Sequence, residues 1–543
     1  MGKRKRGHQE LAGTGRVTKT RKEQNVVPQP KQQKQHAKEP NTTTENEDDQ
    51  GAANVERAWN ENAVTIQIIT GSYERVLHGF TASIPQDLLI TGPDRQAEHA
   101  PAESNSKINF SDTFLFNAHG SAIRCLALSP HASNRNGHIM LATGSTDERI
   151  NIHAISLRPV TLSAKAQLPT LHNNTITENR HNKLIGTLLQ HSSSISSLYF
   201  PTRAKLITAA EDSTISIVRG RDWVPLETIK VPIPTPQGRP SGDTAGPGEV
   251  PSGINDFAVH PSMKLMLSVG KGEKCMRLWN LVTGKKAGVL TFSREVLTSV
   301  GEGRFGTGEG RKVIWDAEGD EFVVAFERGA IVYGIDCKPK YSILPTPRTK
   351  VHQIQYLRIP PDSNILAVST EDGRIMFYNT STPSPKLNTS QFTIAREEEN
   401  PIPCALIAQL GGPAAGITGR VKDFEILPIP RNPRAYLITA GSSDGSVRLW
   451  LISGTNTHTH TDTQAGSDGA ANDYAIAQVG QLLATHATNS RITCLKALVM
   501  TGEPEDADSV PQASVQAPRN GDKQPEDSSA EDGEGEEEWS GFD

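Results

Sequence analysis

The stretch Leu437 to Trp450, LITAGSSDGSVRLW, recurs along this chain, and the recurrence limits what the chain can fold into. An apolar run ends in the small residues Thr439, Ala440 and Gly441, and Ser443-Asp444-Gly445 then marks a tight reversal. Asp bonds to its own backbone in turns, and Gly tolerates positive φ. Val447 and Leu449 alternate with Ser446 and Arg448 up to Trp450, which is the pattern of a β-hairpin. With the turn acid as a ruler, further copies fall at Asp147, Asp212, Glu273 and Asp372; a degenerate copy, FVVAFERGAIVYG, puts Arg328 in the acid column. Six residues before the ruler stand Leu141, Leu206, Leu267, Phe322, Leu366 and Ile438. Three before it stand Gly144, Ala209, Gly270, Ala325, Ser369 and Gly441, all small. Residues three and five after it are apolar in every copy.

A hairpin repeated in this way buries its apolar faces by stacking on its neighbours. The ruler residues are 44 to 72 apart, against about 40–45 for a compact four-stranded blade. The excess lies in loop insertions near 156–182, 231–252, 380–402 and 454–474, rich in Pro, Gly, Asn, Thr and Ser. Near the start, VTIQIITGSY and VLHGFTAS read as a hairpin without the acid column, and KINFSDTFLFNAH adds a strand ending at His119. These three strands lack a first strand. Arg491 to Leu495 offers one, because it resembles the strand openings at Ile123, Ile195 and Val421. Pairing the two ends closes a seventh sheet and removes open edges. The expected fold is all-β, a seven-bladed propeller over residues 63–500, with its last blade built from N-terminal strands plus a C-terminal strand. The blade around Phe322 to Ile335 is the least defined.

The flanks differ from this core in charge. Residues 1–40 carry 11 Lys/Arg against 3 Asp/Glu, and residues 501–543 carry 2 against 14, so the net charge of −5 conceals two tails of opposite sign. Both are poor in large apolar residues, which predicts a disordered basic tail over 1–62 and a disordered acidic tail over 501–543. Lys3, Arg4, Lys5 and Arg6 suit an acidic groove on a nuclear import receptor, with an RNA backbone or plain solvation as the other readings. In the acidic tail, Trp539 and Phe542 form a candidate interaction motif: the aromatics would anchor in an apolar pocket while the acids steer toward a basic partner. The five cysteines are isolated, with no C-x-x-C pair, which suggests buried thiols in a reducing compartment. No apolar run reaches the roughly 18 residues that span a bilayer, so no membrane partner is expected.

The hairpins ending Leu278-Trp279-Asn280 and Leu449-Trp450, with His119 or His191 opening a repeat, resemble WD repeats. In that family a His, a Ser/Thr, the turn Asp and a Trp form one hydrogen-bonded set. No blade here has all four. His153 and Val218 stand at the Trp position of the His119 and His191 blades, and the Trp279 and Trp450 blades lack the opening His. More closely, IITGSYERVLHGF, FAVHPSMKLMLSVGKGEKCMRLWNLVTGK, VKDFEILPIP and ITAGSSDGSVRLW resemble the family of PAK-interacting WD-repeat proteins of animals and their fungal maintenance-of-killer counterparts. That resemblance implies a nucleolar factor for assembly of the large (60S) ribosomal subunit. Its partners would be preribosomal proteins and assembly factors, with indirect rRNA association, and the chain would be monomeric within a larger complex. The alternative it carries is an adaptor that restrains a p21-activated-type kinase by docking on it.

Little in the sequence points to catalysis. Gly301 to Gly306 matches G-x-G-x-x-G, but no strand-then-helix context surrounds it, so it reads as an interstrand loop. His458, His460 and Asp462 lie in a Thr-rich loop and read as solvated rather than metal-binding. The turn residues Asp147, Asp212, Glu273, Asp372 and Asp444 read as structural, the aspartates as caps on backbone amides. The expectation is a non-catalytic scaffold with no cofactor, located in the nucleus and nucleolus.

Overall fold

The computed structural model describes residues 63–90, 108–131, 137–161, 175–176, 179, 181–234, 252–303, 306–359, 363–383, 400–417, 419–429, 432–453, 478–501 and 505–506. The chain divides into Met1–Asn46 and Glu47–Asp543, and the first unit lies wholly outside the described residues.

Among the described residues of the second unit, seven antiparallel four-stranded blades follow one another. Blade 1 is Ile123–Leu128, His138–Ser145, Ile150–Ser156 and Lys183–Leu188. Blade 2 is Ile195–Thr202, Lys205–Ala210, Thr214–Arg219 and Pro225–Lys230, and blade 3 is Ile254–Val259, Leu265–Gly270, Cys275–Asn280 and Lys285–Thr291. Blade 4 is Lys312–Trp315, Glu321–Ala325, Ala330–Gly334 and Pro339–Ile343; despite its degenerate sequence it has four regular strands. Blade 5 is Val351–Ile359, Ser363–Thr370, Arg374–Pro383 and Ile402–Gly411, joined to blade 4 by a short parallel contact of Tyr341 with Ile402. Blade 6 is Val421–Ile429, Asn432–Ser442, Ser446–Ser453 and Gln481–Ala487.

Blade 7 closes the ring from both ends of the chain. Its first strand is Ile492–Val499, antiparallel to Ala63–Ser72 with Ile66 opposite Val499, followed by Val76–Pro85 and Asn109–Asn117. The first strand of every blade lies against the first strands of both neighbours. The buried side chains accordingly form seven clusters, one at each blade boundary, including 6–7 around Leu437 and Ile66 and 7–1 around Ile69 and Ile123.

The repeat columns have physical causes. Leu141, Leu206, Leu267, Phe322, Leu366 and Ile438 are all buried. At Gly144 and Gly71 the small column lies against both its own first strand and the next blade: a Cβ on Gly144 would meet Cys125 Sγ and Ile195 Cγ2 at 2.7 Å, and one on Gly71 would meet Cys494 Sγ and Ile123 Cγ2 at 2.7 Å. The Ile that opens one blade thus limits the size of this residue on the blade before it. Gly71 also corrects the sequence reading of the first hairpin. It stands three residues before Glu74, which precedes the left-handed Arg75 (φ 74°) just as Asp147 precedes Glu148 (φ 67°) and Asp212 precedes Ser213 (φ 63°). The acid column is therefore present in blade 7, with Glu in place of Asp.

Candidate functional site

The loop entering each blade and the turn between its second and third strands share one face. Backbone bonds tie them together: Thr146 N–H donates to Ala122 O (3.1 Å), Glu371 to Lys350 O (2.9 Å), Ser443 to Arg420 O (2.9 Å) and Tyr73 to Arg491 O (2.9 Å). The turn acids reinforce the tie. Asp147 accepts from the amides of Gly120 (2.8 Å) and Arg149 (3.1 Å), and its partner His119 reaches Thr143 Oγ1 through Nε2 at 2.8 Å. Blade 2 repeats the arrangement, with Asp212 on Ser192 N (3.1 Å), Thr214 N (2.9 Å) and His191 Nδ1 (3.1 Å), and His191 Nε2 on Thr208 Oγ1 (2.7 Å). Burial alone would raise the Asp212 carboxyl, but hydrogen bonds from His191, Thr214 and Ser192 outweigh it and hold the group at about 2. Asp444 accepts from Ser446 N at 2.9 Å, and Glu74 from Arg491 N at 2.8 Å.

Three turn acids also clamp an arginine that folds back from the strand leaving the turn: Glu273 pairs with Arg277, Asp372 takes the Nε of Arg374 at 2.7 Å, and Asp444 takes Nη2 of Arg448 at 3.2 Å. Trp279 Nε1 donates to Ser268 Oγ at 2.8 Å, while Trp450 packs at the boundary of blades 5 and 6. At the corresponding place on blade 1, Nε2 of His153 is buried without a partner beside a half-open cleft of about 140 Å³, lined by Phe114, Phe116 and Leu184.

The residue just before each first strand gives this face its character. Blades 1–3 place Ala122, Ser194 and Gly253 there, and blades 4–7 place Arg311, Lys350, Arg420 and Arg491. Lys312, His352 and Lys422 follow at the openings of blades 4, 5 and 6. Glu327 pairs with Lys350 (2.8 Å) and Arg311 (3.7 Å), Glu371 with Arg420 (3.2 Å), and buried Asp256 with Lys312 (3.7 Å). Lys422 Nζ lies 3.4 Å from His352 Nε2. Burial, then Lys422, Arg420, Lys350 and Arg311, push His352 down to about 4. The sequence reading missed this arc; the column before each strand opening carried the signal.

Among the described residues, His78, Asp112 and His486 offer three ligand atoms within 4.8 Å of one another, between blades 6 and 7. His78 Nε2 already bonds Asp112 Oδ1 at 2.8 Å, and His486 stacks on Phe110, so the trio serves as a packed contact across the blade boundary. The Gly301–Gly306 stretch follows the short helix α1, Arg294–Ser299, and its Glu302 is buried, accepting from the amides of Glu327 (3.2 Å) and Gly308 (3.4 Å). Its described part is a carboxylate-braced turn, not a phosphate cradle. Lys3 to Arg6, His458, His460, Asp462, Trp539 and Phe542 lie outside the described residues.

Seven blades with His–Asp–Thr networks on two of them define a WD40-repeat β-propeller. The WD40 family profile, "WD domain, G-beta repeat", matches residues 110–153 and 182–218, which cover the outer strand of blade 7, blade 1 and most of blade 2. Those segments of the chain carry WD40 repeats. The chain is 26% identical to Protein MAK11 of Saccharomyces cerevisiae over 405 residues, 71% of this chain and 78% of that protein. It is 25% identical over 430 residues to the p21-activated protein kinase-interacting protein 1-like of Gallus gallus, covering 79% of each chain. The Shk1 kinase-binding protein 15 of Schizosaccharomyces pombe is 24% identical over 344 residues, 62% of this chain and 69% of that protein.

Proposed function

We propose that this protein is a non-catalytic scaffold in biogenesis of the 60S ribosomal subunit, docking assembly factors on preribosomal particles in the nucleolus. The observation that carries the reading is the cationic arc over four consecutive blades. It presents a broad charged surface for docking rather than the convergent acid, base and nucleophile of a catalytic centre. Similarity to MAK11 over most of the chain supports it, as does the segregation of charge into a basic tail, which suits an import receptor through Lys3 to Arg6, and an acidic tail, whose Trp539 and Phe542 suit anchoring on a basic partner. The names of the chicken and fission-yeast relatives carry kinase binding, so the second reading is an adaptor docked on a p21-activated-type kinase. The test is sedimentation of the protein, tagged at its natural level, on sucrose gradients at low and moderate salt. Comigration with large-subunit precursor RNA supports assembly. Sedimentation with a kinase, and normal subunit ratios after depletion, support the adaptor.

A further inference from the structure

The cationic arc has too few acids to cover it. Among the described residues, neither Lys422 nor Arg491 has a carboxylate within ion-pair distance, and Nε of Arg311 is buried without a partner. Burial lowers the pKa of the Lys422 ammonium, and Arg420, Arg491 and Lys350 lower it further against the single opposing carboxylate of Glu371. The groups facing it are thus three cations, one acid already paired to Arg420, and a histidine kept neutral. A half-buried ammonium in such company lacks an anion.

A second feature indicates which anion. Tyr73 stands at the turn of blade 7 with 61% of its surface exposed, and the Arg491 guanidinium lies over its ring at 5.5 Å from the centroid. An acidic peptide would answer the charges but gives no use for an open aromatic ring beside them. Single-stranded RNA uses both, with phosphates on cations and a base on the aromatic face.

We propose that the mouth of the propeller on blades 4–7 binds single-stranded RNA, with Lys422, Arg491 and Arg311 on the phosphates and Tyr73 stacked on a base. This deepens the assembly reading, which supplies the RNA in the cell; the contact itself does not depend on it.

The test is fluorescence anisotropy with the purified full-length chain and a labelled 20-nucleotide oligouridine from 50 to 300 mM salt, with unlabelled polyglutamate as competitor. Removing two phosphate contacts in K422Q/R491Q is expected to weaken binding by at least about tenfold and to flatten the slope of log affinity against log salt by about 1.4, since a single strand contributes about 0.7 per contact. Tyr73→Ala is expected to cost at least about fivefold, the lower end for a base stack. Lys264→Gln, in the turn between the first two strands of blade 3 on the opposite face, is expected to change nothing. Circular dichroism and melting of each variant verify folding. Unchanged binding in K422Q/R491Q overturns the proposal. So does binding that disappears only when Lys3, Arg4, Lys5 and Arg6 become Gln, which assigns it to the tail. Displacement of RNA by polyglutamate at equal charge concentration also overturns it, in favour of an acidic protein segment. RNA binding that persists in a protein absent from preribosomes sinks the assembly reading and leaves this one standing.

Discussion

The ammonium of Lys422 on blade 6 lies 3.4 Å from Nε2 of His352 on blade 5, and the histidine, held neutral, accepts a hydrogen bond from it. His352 thereby orients a cation that has no carboxylate of its own. His352→Phe leaves that ammonium without its acceptor, so RNA affinity is expected to fall several-fold while the salt slope is preserved. His352→Gln, which retains an acceptor, is expected to restore most of it. Anisotropy titrations at two salt concentrations separate orientation from charge.

His352 and His153 both titrate near 4 in the folded chain because burial disfavours the imidazolium. The unfolded chain takes up those protons near 6.5. Between the two values the unfolded state binds more protons, so stability is complete above about pH 6.5 and declines as pH falls toward 4. His153, with its buried unpartnered Nε2, contributes up to about 3 kcal/mol of that decline. His153→Phe is expected to raise the melting temperature at pH 5 and to flatten its dependence on pH between 7 and 4.

Asp212 gives the opposite profile at lower pH. Its folded pKa of about 2 lies below the ordinary carboxylate range, so its contribution is present above about pH 4 and is lost as pH falls through 2. Asp212→Ala strands His191 and two backbone amides, and the expected cost is about 1–3 kcal/mol at pH 7. Urea unfolding at pH 7 and pH 2 measures both, and the difference between wild type and variant should shrink at pH 2.

Gly144 and Gly71 hold equivalent places against Ile195 and Ile123 of the following blades. Each substitution to Ala forces a methyl to within 2.7 Å of two side chains, and overpacking of this kind costs about 1–3 kcal/mol. Gly71→Ala strains the boundary that joins the two ends of the chain. It is therefore expected to accelerate proteolysis of the N-terminal strands, read by limited trypsin digestion and mass spectrometry.

Glu302 braces the loop before blade 4 by accepting from two amides. Glu302→Ala orphans them at an expected cost of about 1–3 kcal/mol, whereas Glu302→Gln keeps one acceptor and costs less. Hydrogen exchange at Gly308 and Glu327 locates the effect.

The propeller was legible in the sequence because hairpin geometry repeats. A bulky residue must fill each blade boundary, a small one must clear the neighbouring strand, as Gly144 clears Ile195, and an acid or its substitute must brace the turn. The chain-end closure was legible for the same reason, since Arg491 to Leu495 reads like the strand openings at Ile123, Ile195 and Val421. Glu74 escaped because Gly79, five residues after it, breaks the apolar column that the other copies share, and blade 4 looked degenerate because Glu302, outside the hairpin, does the bracing there. The cationic arc escaped because its leading column, Arg311, Lys350, Arg420 and Arg491, puts one residue on each blade, 39 to 71 residues apart, and these become neighbours through ring closure. His352 shows the same limit, since its company of Lys350, Lys422, Arg420 and Arg311 comes from three blades.

Site-specific photocrosslinking in cells tests the central claim most directly. A benzophenone side chain at Arg348, in the loop entering blade 5, samples the cationic face, and one at Ser262, in the turn between the first two strands of blade 3, samples the opposite face. The account predicts crosslinks from position 348 to large-subunit precursor RNA and to the assembly proteins around it, with few from position 262. Crosslinks to preribosomes from position 262 alone, or from position 348 to a protein kinase and not to preribosomes, would contradict it.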